Sequence, residues 1–268
     1  MNQEQFDLYI ERMDKSMRDK IFFLDHIPDF DLLVDYGCAN GSLIKAVLPY
    51  EPKAKFIGFD IDKKMISEAR SNVSNENAFF TDNWELVEKE VQNCKGISIV
   101  VLNSLLHEIF SYAGPTDQRI FWNRTFRSGF TYISIRDMMM RESHFNKKIA
   151  DDTLQDVLDR IRQSDHGEEK VDTFQEVFGD IITEGELIHL MMKLDYWNNW
   201  EREVHENYLG IFVDDFFKKM NSVGKGLYTV DHWETFTLQY LKNKIKKEFD
   251  YDINSPTHIK VLLKSTQN

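Results

Sequence analysis

The sequence predicts an α/β fold with a doubly wound, seven-stranded sheet that is mostly parallel. Two observations lead to this prediction. Strand-like and helix-like segments alternate from about residue 30 to residue 140, which is typical of a parallel sheet with helices on both faces. A strand, a helix and a closing strand then follow near the end of the chain, after a long stretch of helical pattern.

Short apolar runs that end at turn residues mark the strands. The first five predicted strands lie in LLVDYG, KFIGFDID, AFFTD, GISIVVLNSLLH and FTYISIRDMMM. Between them, the predicted helices are residues 42–48, KKMISEARSNV, WELVEKEVQN and DQRIFWNRTFRSG. The closing strand, helix and strand are KGLYTVDHWETF, TLQYLKNKIKKEF and THIKVLLKS. Triple Met in the fifth strand segment is interpreted as packing.

The alternation ends after the fifth strand, and residues 146–222 have a helical pattern almost throughout. We therefore predict a core of residues 30–140 and 226–268, interrupted by a helical insertion at 141–225 that forms a lid or an acceptor region. Residues 1–29 are expected to form an N-terminal helical segment. Its predicted leading helix spans residues 2–20, where apolar side chains recur at helical spacing.

Composition restricts the classes of function. The chain has 268 residues and a formal net charge of −12, so bulk binding of nucleic acid is disfavoured. The basic run from Lys242 to Lys247 is interpreted as a solvated helix face. Cys38 and Cys94 have no metal-ligand spacing, and we expect no metal. With no apolar run near ~20 residues and no signal-like start, a cytoplasmic protein without a membrane partner is expected.

The stretch LLVDYGCANGSLIKA carries most of the functional prediction. A predicted strand runs into a turn with glycines at Gly37 and Gly41, where the backbone leaves room for a ligand. Dinucleotide sites require G-x-G-x-x-G. Here Ala39 stands where the middle glycine would be and Ile44 where the third would be, so a nicotinamide-dependent oxidoreductase is disfavoured.

The stretch VDYGCANG instead resembles the D/E-x-G-x-G-x-G loop of the class I S-adenosylmethionine-dependent methyltransferases, which have a Rossmann-like fold. The resemblance implies that the closing helix and strand near residues 226–265 end the sheet with an antiparallel last strand. The matching positions are Asp35, Gly37, Cys38 and Gly41. Ala39 departs from the pattern, and we expect it to be tolerated with a negative φ. The resemblance implies that these five residues bind S-adenosyl-L-methionine.

Three further segments resemble the same family in order. KFIGFDIDKKMISEAR places Asp60 where the family binds the ribose hydroxyls, with Ile61 beside it and Asp62 as a helix cap. FFTDNWE places Asp82 and Asn83 where the adenine amino group is received. The segment ISIVVLNSLLHEIFSY places Asn103 at the cofactor edge. The resemblance also implies that the leading segment, with Arg18 and Lys20, can meet the cofactor's carboxylate.

Methyl transfer requires an aligned nucleophile and, for O–H or N–H acceptors, a base. His107 is the first candidate base, with Glu108 beside it, although both are also consistent with packing at a helix start. Tyr112, Arg136 and Asp137 are candidates for contact with the acceptor; the charged pair is equally consistent with a buried ion pair. His189 is interpreted as a core histidine.

The expected function is methyl transfer to an O or N nucleophile of a small or medium-sized acceptor. Two alternatives stay open at this point. One is a methyltransferase that acts on RNA or protein, and the other is a non-catalytic S-adenosylmethionine-binding or interaction protein. LNSLLH lacks the prolines of the family's base-amino-methylating branch, which disfavours nucleobase amino groups as acceptors.

Overall fold

A seven-stranded sheet forms the centre of the computed structural model, which describes residues 16–267. Numbered along the chain, its strands are β1 (Leu32–Tyr36), β2 (Lys55–Phe59), β3 (Ala78–Thr81), β4 (Ser98–Asn103), β5 (Tyr132–Met138), β6 (Tyr228–Phe236) and β7 (His258–Ser265). Their spatial order is β3-β2-β1-β4-β5-β7-β6. Strands β1 to β5 pair in parallel, and β7 runs antiparallel to both β5 and β6. The predicted fold class is confirmed.

Helices separate the strands, as expected. Their bounds are α1 (Met17–Lys20), α2 (Ser42–Val47), α3 (Lys63–Asn72), α4 (Trp84–Asn93), α5 (Leu106–Tyr112), α6 (Pro115–Arg127), α7 (Glu142–Phe145), α8 (Asp151–Arg162), α9 (Gly167–Phe178), α10 (Glu184–Lys193), α11 (Trp200–Glu203), α12 (Val213–Gly224) and α13 (Gln239–Phe249). Short 3₁₀ turns cover Phe22–Asp25 and Trp197–Asn199. The part of the predicted leading helix that precedes residue 16 lies outside the described residues.

Both faces of the sheet are buried, and successive residues of a strand pack on opposite faces. Leu33 packs in one apolar cluster with Phe23 and Phe56, whereas its neighbour Val34 packs in the other with Ile57. Strand β1 is buried at every position. Such continuous apolar strands are expected where helices cover both sides of a parallel sheet.

The strand order reverses between β1 and β4, which are neighbours in the sheet. Both strands pair in parallel and present their carboxyl ends at one edge. In doubly wound sheets, the crevice outside these ends at the reversal point is where ligands bind. The fold therefore brings together the loops that follow β1, β2, β4 and β5.

A third apolar cluster holds the segment between β5 and β6. It contains Met140, Phe174, Leu187 and Trp200, and it extends to Leu241 on α13. Met139 and Met140 are fully buried, which confirms their interpretation as packing. Among the described residues of this segment, the single β pairing is an isolated bridge between Lys148 and Thr183. Over residues 16–267, none of the helices combines the length and the apolar character that a bilayer span requires.

Candidate functional site

The loop after β1 is held in the left-handed backbone region. Gly37 and Gly41 have φ values of +81° and +78°, and Ala39 lies between them at +44°. The expectation of a negative φ at Ala39 is therefore wrong. Left-handed geometry costs a residue with a side chain roughly 1–2 kcal/mol. The surrounding structure imposes this strain, because the Ala39 amide is fixed by a hydrogen bond of 2.9 Å to Oδ2 of Asp60.

Five amide groups of this loop, those of Gly37, Cys38, Ala39, Gly41 and Ser42, are already paired within the protein. Gly37 N and Cys38 N both donate to the Phe59 carbonyl, at 2.8 and 3.1 Å, and Gly41 N donates to the Cys38 carbonyl. Ser42 N is capped by the Asn40 side chain. A pyrophosphate requires free amides at such a turn. The loop instead offers close approach without phosphate-binding donors, which suits a cofactor that has no phosphate.

Asp35 lies at the end of β1 and is buried. Burial raises the pKa of its carboxyl to about 7, while the nearby Lys20 opposes the rise and Asp60 adds to it. Lys20 is itself buried, whereas Arg18 is exposed. The leading segment thus brings one cation, Lys20, to the acid that precedes the glycine loop.

Asp60 follows β2 and joins two turns. Its Oδ2 accepts from Ala39 N, and its Oδ1 accepts from Asp62 N at 2.9 Å. Each carboxylate oxygen retains a second lone pair, and the side chain is partly exposed, so it can accept further hydrogen bonds. Burial raises the pKa of Asp60, and these backbone donors counteract the rise. Next to it, the apolar side chain of Ile61 is 83% exposed.

The third strand end lies further along the edge. Asp82 is exposed, with Nζ of Lys63 at 3.9 Å. Asn83 caps helix α4, since its Oδ1 accepts from Glu85 N at 2.9 Å. Asp62 caps α3 in the same way through Lys64 N, which confirms the predicted cap.

The end of β4 contains an unpaired polar atom. Asn103 donates through Nδ2 to the Lys20 carbonyl at 3.2 Å. Its Oδ1 is buried and has no hydrogen-bond partner among residues 16–267. The next residue, Ser104, has a φ of +52°. A buried acceptor without a donor costs about 1–3 kcal/mol. It therefore marks a position where a ligand N–H group fits.

His107 and Asp137 form a buried pair at the ends of β4 and β5. The His107 Nδ1 lies 2.8 Å from Oδ1 of Asp137, which also accepts from Met138 N. The second carboxylate oxygen accepts from Leu106 N at 2.6 Å. Burial lowers the pKa of His107, but the Asp137 carboxylate together with Glu108 and Glu206 outweighs the effect of burial, and the pKa is raised. Asp137 therefore fixes the ring and leaves Nε2 as the nitrogen on the side of Glu206.

Residues from the segment between β5 and β6 lie over this pair. Oε2 of Glu206 is 3.8 Å from the His107 Nε2, which is beyond hydrogen-bond distance, and Tyr208 contacts the ring edge-on. Arg202 bridges Glu206 and Glu108 at 3.0 and 3.1 Å. Burial raises the pKa of Glu108. Tyr112, on α5, donates from its hydroxyl to the Arg202 carbonyl at 3.0 Å.

Arg136 is buried beside this pair, with 3% of its surface exposed. Its Nη1 donates to Oγ of Ser104 at 3.0 Å, and Ser104 N donates to the Arg136 carbonyl. Burial lowers the pKa of this arginine, and Asp137 opposes the change. The structure thus brings Asn103, His107, Arg136 and Asp137 together at one edge. His189 is a buried residue of the third cluster, as expected.

The sequence-based prediction missed Glu206 and Arg202. Both lie in an aromatic-rich stretch of the helical insertion, and the available signal was their i,i+4 spacing of opposite charges. The positive φ of Ser104 had no sequence signal, because such a φ at a serine depends on its surroundings. No group of His, Cys, Asp and Glu side chains suited to a metal ion is found within the described residues.

A doubly wound sheet with a glycine loop at its reversal point defines a class of proteins that bind nucleoside-containing cofactors. Within this class, residues 34–128 match a family model described as a methyltransferase domain. Comparison with curated protein sequences gives no match.

Solved structures share the fold at low sequence identity. A SAM-dependent methyltransferase from Anabaena variabilis ATCC 29413 is 12% identical, with a TM-score of 0.51, and the match covers 94% of this chain and 85% of that chain. The pyocyanin biosynthetic protein PhzM is 10% identical, with a TM-score of 0.54 over 97% of this chain and 57% of that chain. The plantazolicin methyltransferase BamL, crystallised with SAH and a triazolic desmethylPZN analog, is 13% identical, with a TM-score of 0.50. That match covers 98% of this chain and 90% of that chain.

The chain therefore contains a methyltransferase domain over residues 34–128, in a fold that it shares with a solved SAM-dependent methyltransferase. The cofactor of such methyltransferases is S-adenosyl-L-methionine. The paired loop amides and the unpaired Asn103 acceptor fit this cofactor, which carries an ammonium group and no phosphate.

Proposed function

We propose that the protein transfers the cofactor's methyl group to an O or N nucleophile of a small or medium-sized acceptor, with His107 as the general base. The observation that carries the proposal is the His107–Asp137 pair at the strand ends. Asp137 holds Nδ1, so the proton of an acceptor hydroxyl or amine would pass to Nε2. The cofactor supplies an activated methyl group, and the remaining task of the protein is alignment and proton removal.

We assign the cofactor pocket to the loops after β1, β2, β3 and β4. In this assignment, Asp60 accepts from the ribose hydroxyls, and the exposed Ile61 covers one face of the adenine. Asp82 or Asn83 receives the adenine amino group. Asn103 and Asp35 lie where the amino group of the methionine part would bind, and Lys20 would meet its carboxylate. The loop residues Gly37, Cys38, Ala39 and Gly41 provide the close backbone surface.

The insertion, residues 141–225, is proposed to be the lid of the acceptor site. The contacts of Arg202 with Glu108 and of Glu206 with His107 support this role. Tyr112 joins the same contact through the Arg202 carbonyl. A lid above the base excludes water and encloses an acceptor of limited size.

A small acceptor is favoured over nucleic acid by the charges of α13. Lys246 is paired with Asp250 and Asp252, and Lys244 with Asp195 and Glu248. Acids nearby therefore pair with Lys244 and Lys246, two of the four lysines in the best basic run of the chain.

The test is methyl transfer from labelled S-adenosylmethionine into an extract that has been separated by molecular size. Label is expected in the low-molecular-weight fraction. His107→Gln should reduce kcat about 10²–10⁴-fold because it removes the base, while the affinity for SAH stays unchanged. His205→Gln is the matched control, since His205 is exposed and bonds within its own helical turn. Label found in macromolecules alone, or full activity of His107→Gln, would contradict the proposal.

A further inference from the structure

Arg136 has two guanidinium nitrogens that no group in the described part of the chain uses. Its Nη1 is bound to Ser104, but Nε and Nη2 are buried and have no hydrogen-bond partner within residues 16–267. The N–H of Nε and one N–H of Nη2 point outward from the same edge of the planar guanidinium. Together they form the fork that holds the two oxygens of a carboxylate side-on. A buried guanidinium with this fork unfilled is costly.

The acids near Arg136 are committed to other groups. Asp137 accepts from His107 and from the amides of Leu106 and Met138. On the other side, Asp19 and Glu234 lie 3.0 and 3.1 Å from Nζ of Lys260. No carboxylate in the described part of the chain therefore bonds the fork of Arg136, although nearby acids make the electrostatic potential at the guanidinium more negative.

The surroundings of the guanidinium are largely apolar and aromatic. The centroid of the Phe236 ring lies 5.9 Å from the Arg136 guanidinium. The His258 ring packs against the Phe236 ring, with 5.4 Å between the two ring centroids. Burial, with the nearby charge of Arg136, holds the pKa of His258 well below its usual range. The imidazole is therefore neutral and supplies no competing charge.

The position of Arg136 relates it to the acceptor rather than to the cofactor loop. It lies at the end of β5, one residue before the partner of the proposed base. Ser104, which holds its third nitrogen, follows the last residue of β4. An anion on the fork would thus sit at the carboxyl end of β5, the strand whose next residue, Asp137, holds the proposed base.

We propose that the acceptor carries a carboxylate, which Arg136 binds side-on through Nε and Nη2. This inference rests on the proposed function, since it names the chemical class of the acceptor at the same site. One planar monoanion balances one guanidinium and fills both vacant N–H groups. A phosphate dianion would bring a second charge for which Lys260, already paired with two acids, is not available.

The probe is benzoate, titrated into SAH-saturated protein by calorimetry, with neutral benzamide as the matched ligand. Benzoate is expected to bind and benzamide is not. Arg136→Lys keeps the charge but loses the fork, so benzoate affinity should fall at least tenfold. Arg141→Lys is the matched control, because the Arg141 side chain lies near the same strand, is 41% exposed and pairs with Asp214, so the change should leave the affinity within twofold.

The inference is overturned if Arg136→Lys binds benzoate as tightly as the unaltered protein, or if inorganic phosphate binds at least as tightly as benzoate in an Arg136-dependent way. Crystals of the unaltered protein with SAH and 4-bromobenzoate give a second test that needs no variant. The bromine signal is expected near Phe236, with the carboxylate on Arg136; water on Nε and Nη2, with the bromine elsewhere, would refute the inference. Its failure is distinguishable from failure of the proposed function, which concerns label transfer and the His107 variant.

Discussion

Asp60 offers the sharpest test of the cofactor assignment, because its two oxygens have separate protein donors. In Asp60→Asn, the amide oxygen can replace one carboxylate oxygen, but the NH₂ group then faces the N–H of either Ala39 or Asp62. One hydrogen bond to a charged acceptor is lost, worth about 1.5–3 kcal/mol. Since Asp60 is partly exposed, we expect the lower end, about 1.5 kcal/mol, in the free energy of unfolding without cofactor.

The same variant should also weaken the binding of the cofactor. A carboxylate accepts from both ribose hydroxyls, whereas the amide can accept at one oxygen only. Loss of one such bond corresponds to an SAH dissociation constant raised about 10- to 100-fold. Denaturant unfolding measures the first effect, and calorimetric titration with SAH measures the second. Asp62→Asn is the control, because asparagine is an equally good helix cap and both quantities should stay nearly unchanged.

The two readouts separate a structural from a binding role. If Asp60→Asn unfolds more easily but binds SAH with unchanged affinity, Asp60 supports the loop and does not contact the ribose. That result would refute the ribose assignment. Equal effects in Asp62→Asn would instead show that the general acidity of this turn, rather than Asp60, is responsible.

Two further predictions concern the base and the loop. The pKa of His107 is raised above the usual 6.5, and the base acts when unprotonated, so kcat/KM should rise with pH through a midpoint above 6.5. Asp137→Asn should lower that midpoint, because it removes the carboxylate that raises the pKa of His107. An unchanged midpoint in Asp137→Asn would show that the His107–Asp137 pair is not the source of the pH dependence. Ala39→Gly should raise the free energy of unfolding by about 0.5–1 kcal/mol, because it relieves a φ of +44°, with SAH affinity within twofold. A loss of stability in chemical denaturation would show that the buried methyl group outweighs the strain.

Local pattern was sufficient for the sheet and for the cofactor edge. Strand β4 ends at Asn103 and α5 begins at Leu106, so the apolar run ends where the sequence placed the candidate residues. Parallel pairing then brings strand ends together whatever the rest of the chain does. This is why Asp35, Asp60 and Asn103 could be placed at one edge from sequence alone.

Two features depend on tertiary contacts and were beyond the reach of local pattern. The positive φ of Ala39 follows from the hydrogen bond between its amide and Asp60 at the end of the neighbouring strand, and no property of alanine predicts this φ. The position of Glu206 above His107 follows from how the insertion folds back on the sheet. Sequence spacing contains the pair Arg202 and Glu206 but not the surface that they cover.

Arg136 and Asp137 show how one strand end can serve two purposes. The sequence left open whether the two charges form an ion pair with each other or belong to a site. In the structure, each has a different partner: Asp137 holds His107, and Arg136 holds Ser104, while Nε and Nη2 of Arg136 have no partner among residues 16–267. A purely structural ion pair would satisfy both side chains mutually, since burial penalises each unpaired group. The separation of the two neighbours, one orienting a base and one left to receive an anion, is therefore the strongest argument that this edge of the sheet is built for an acceptor.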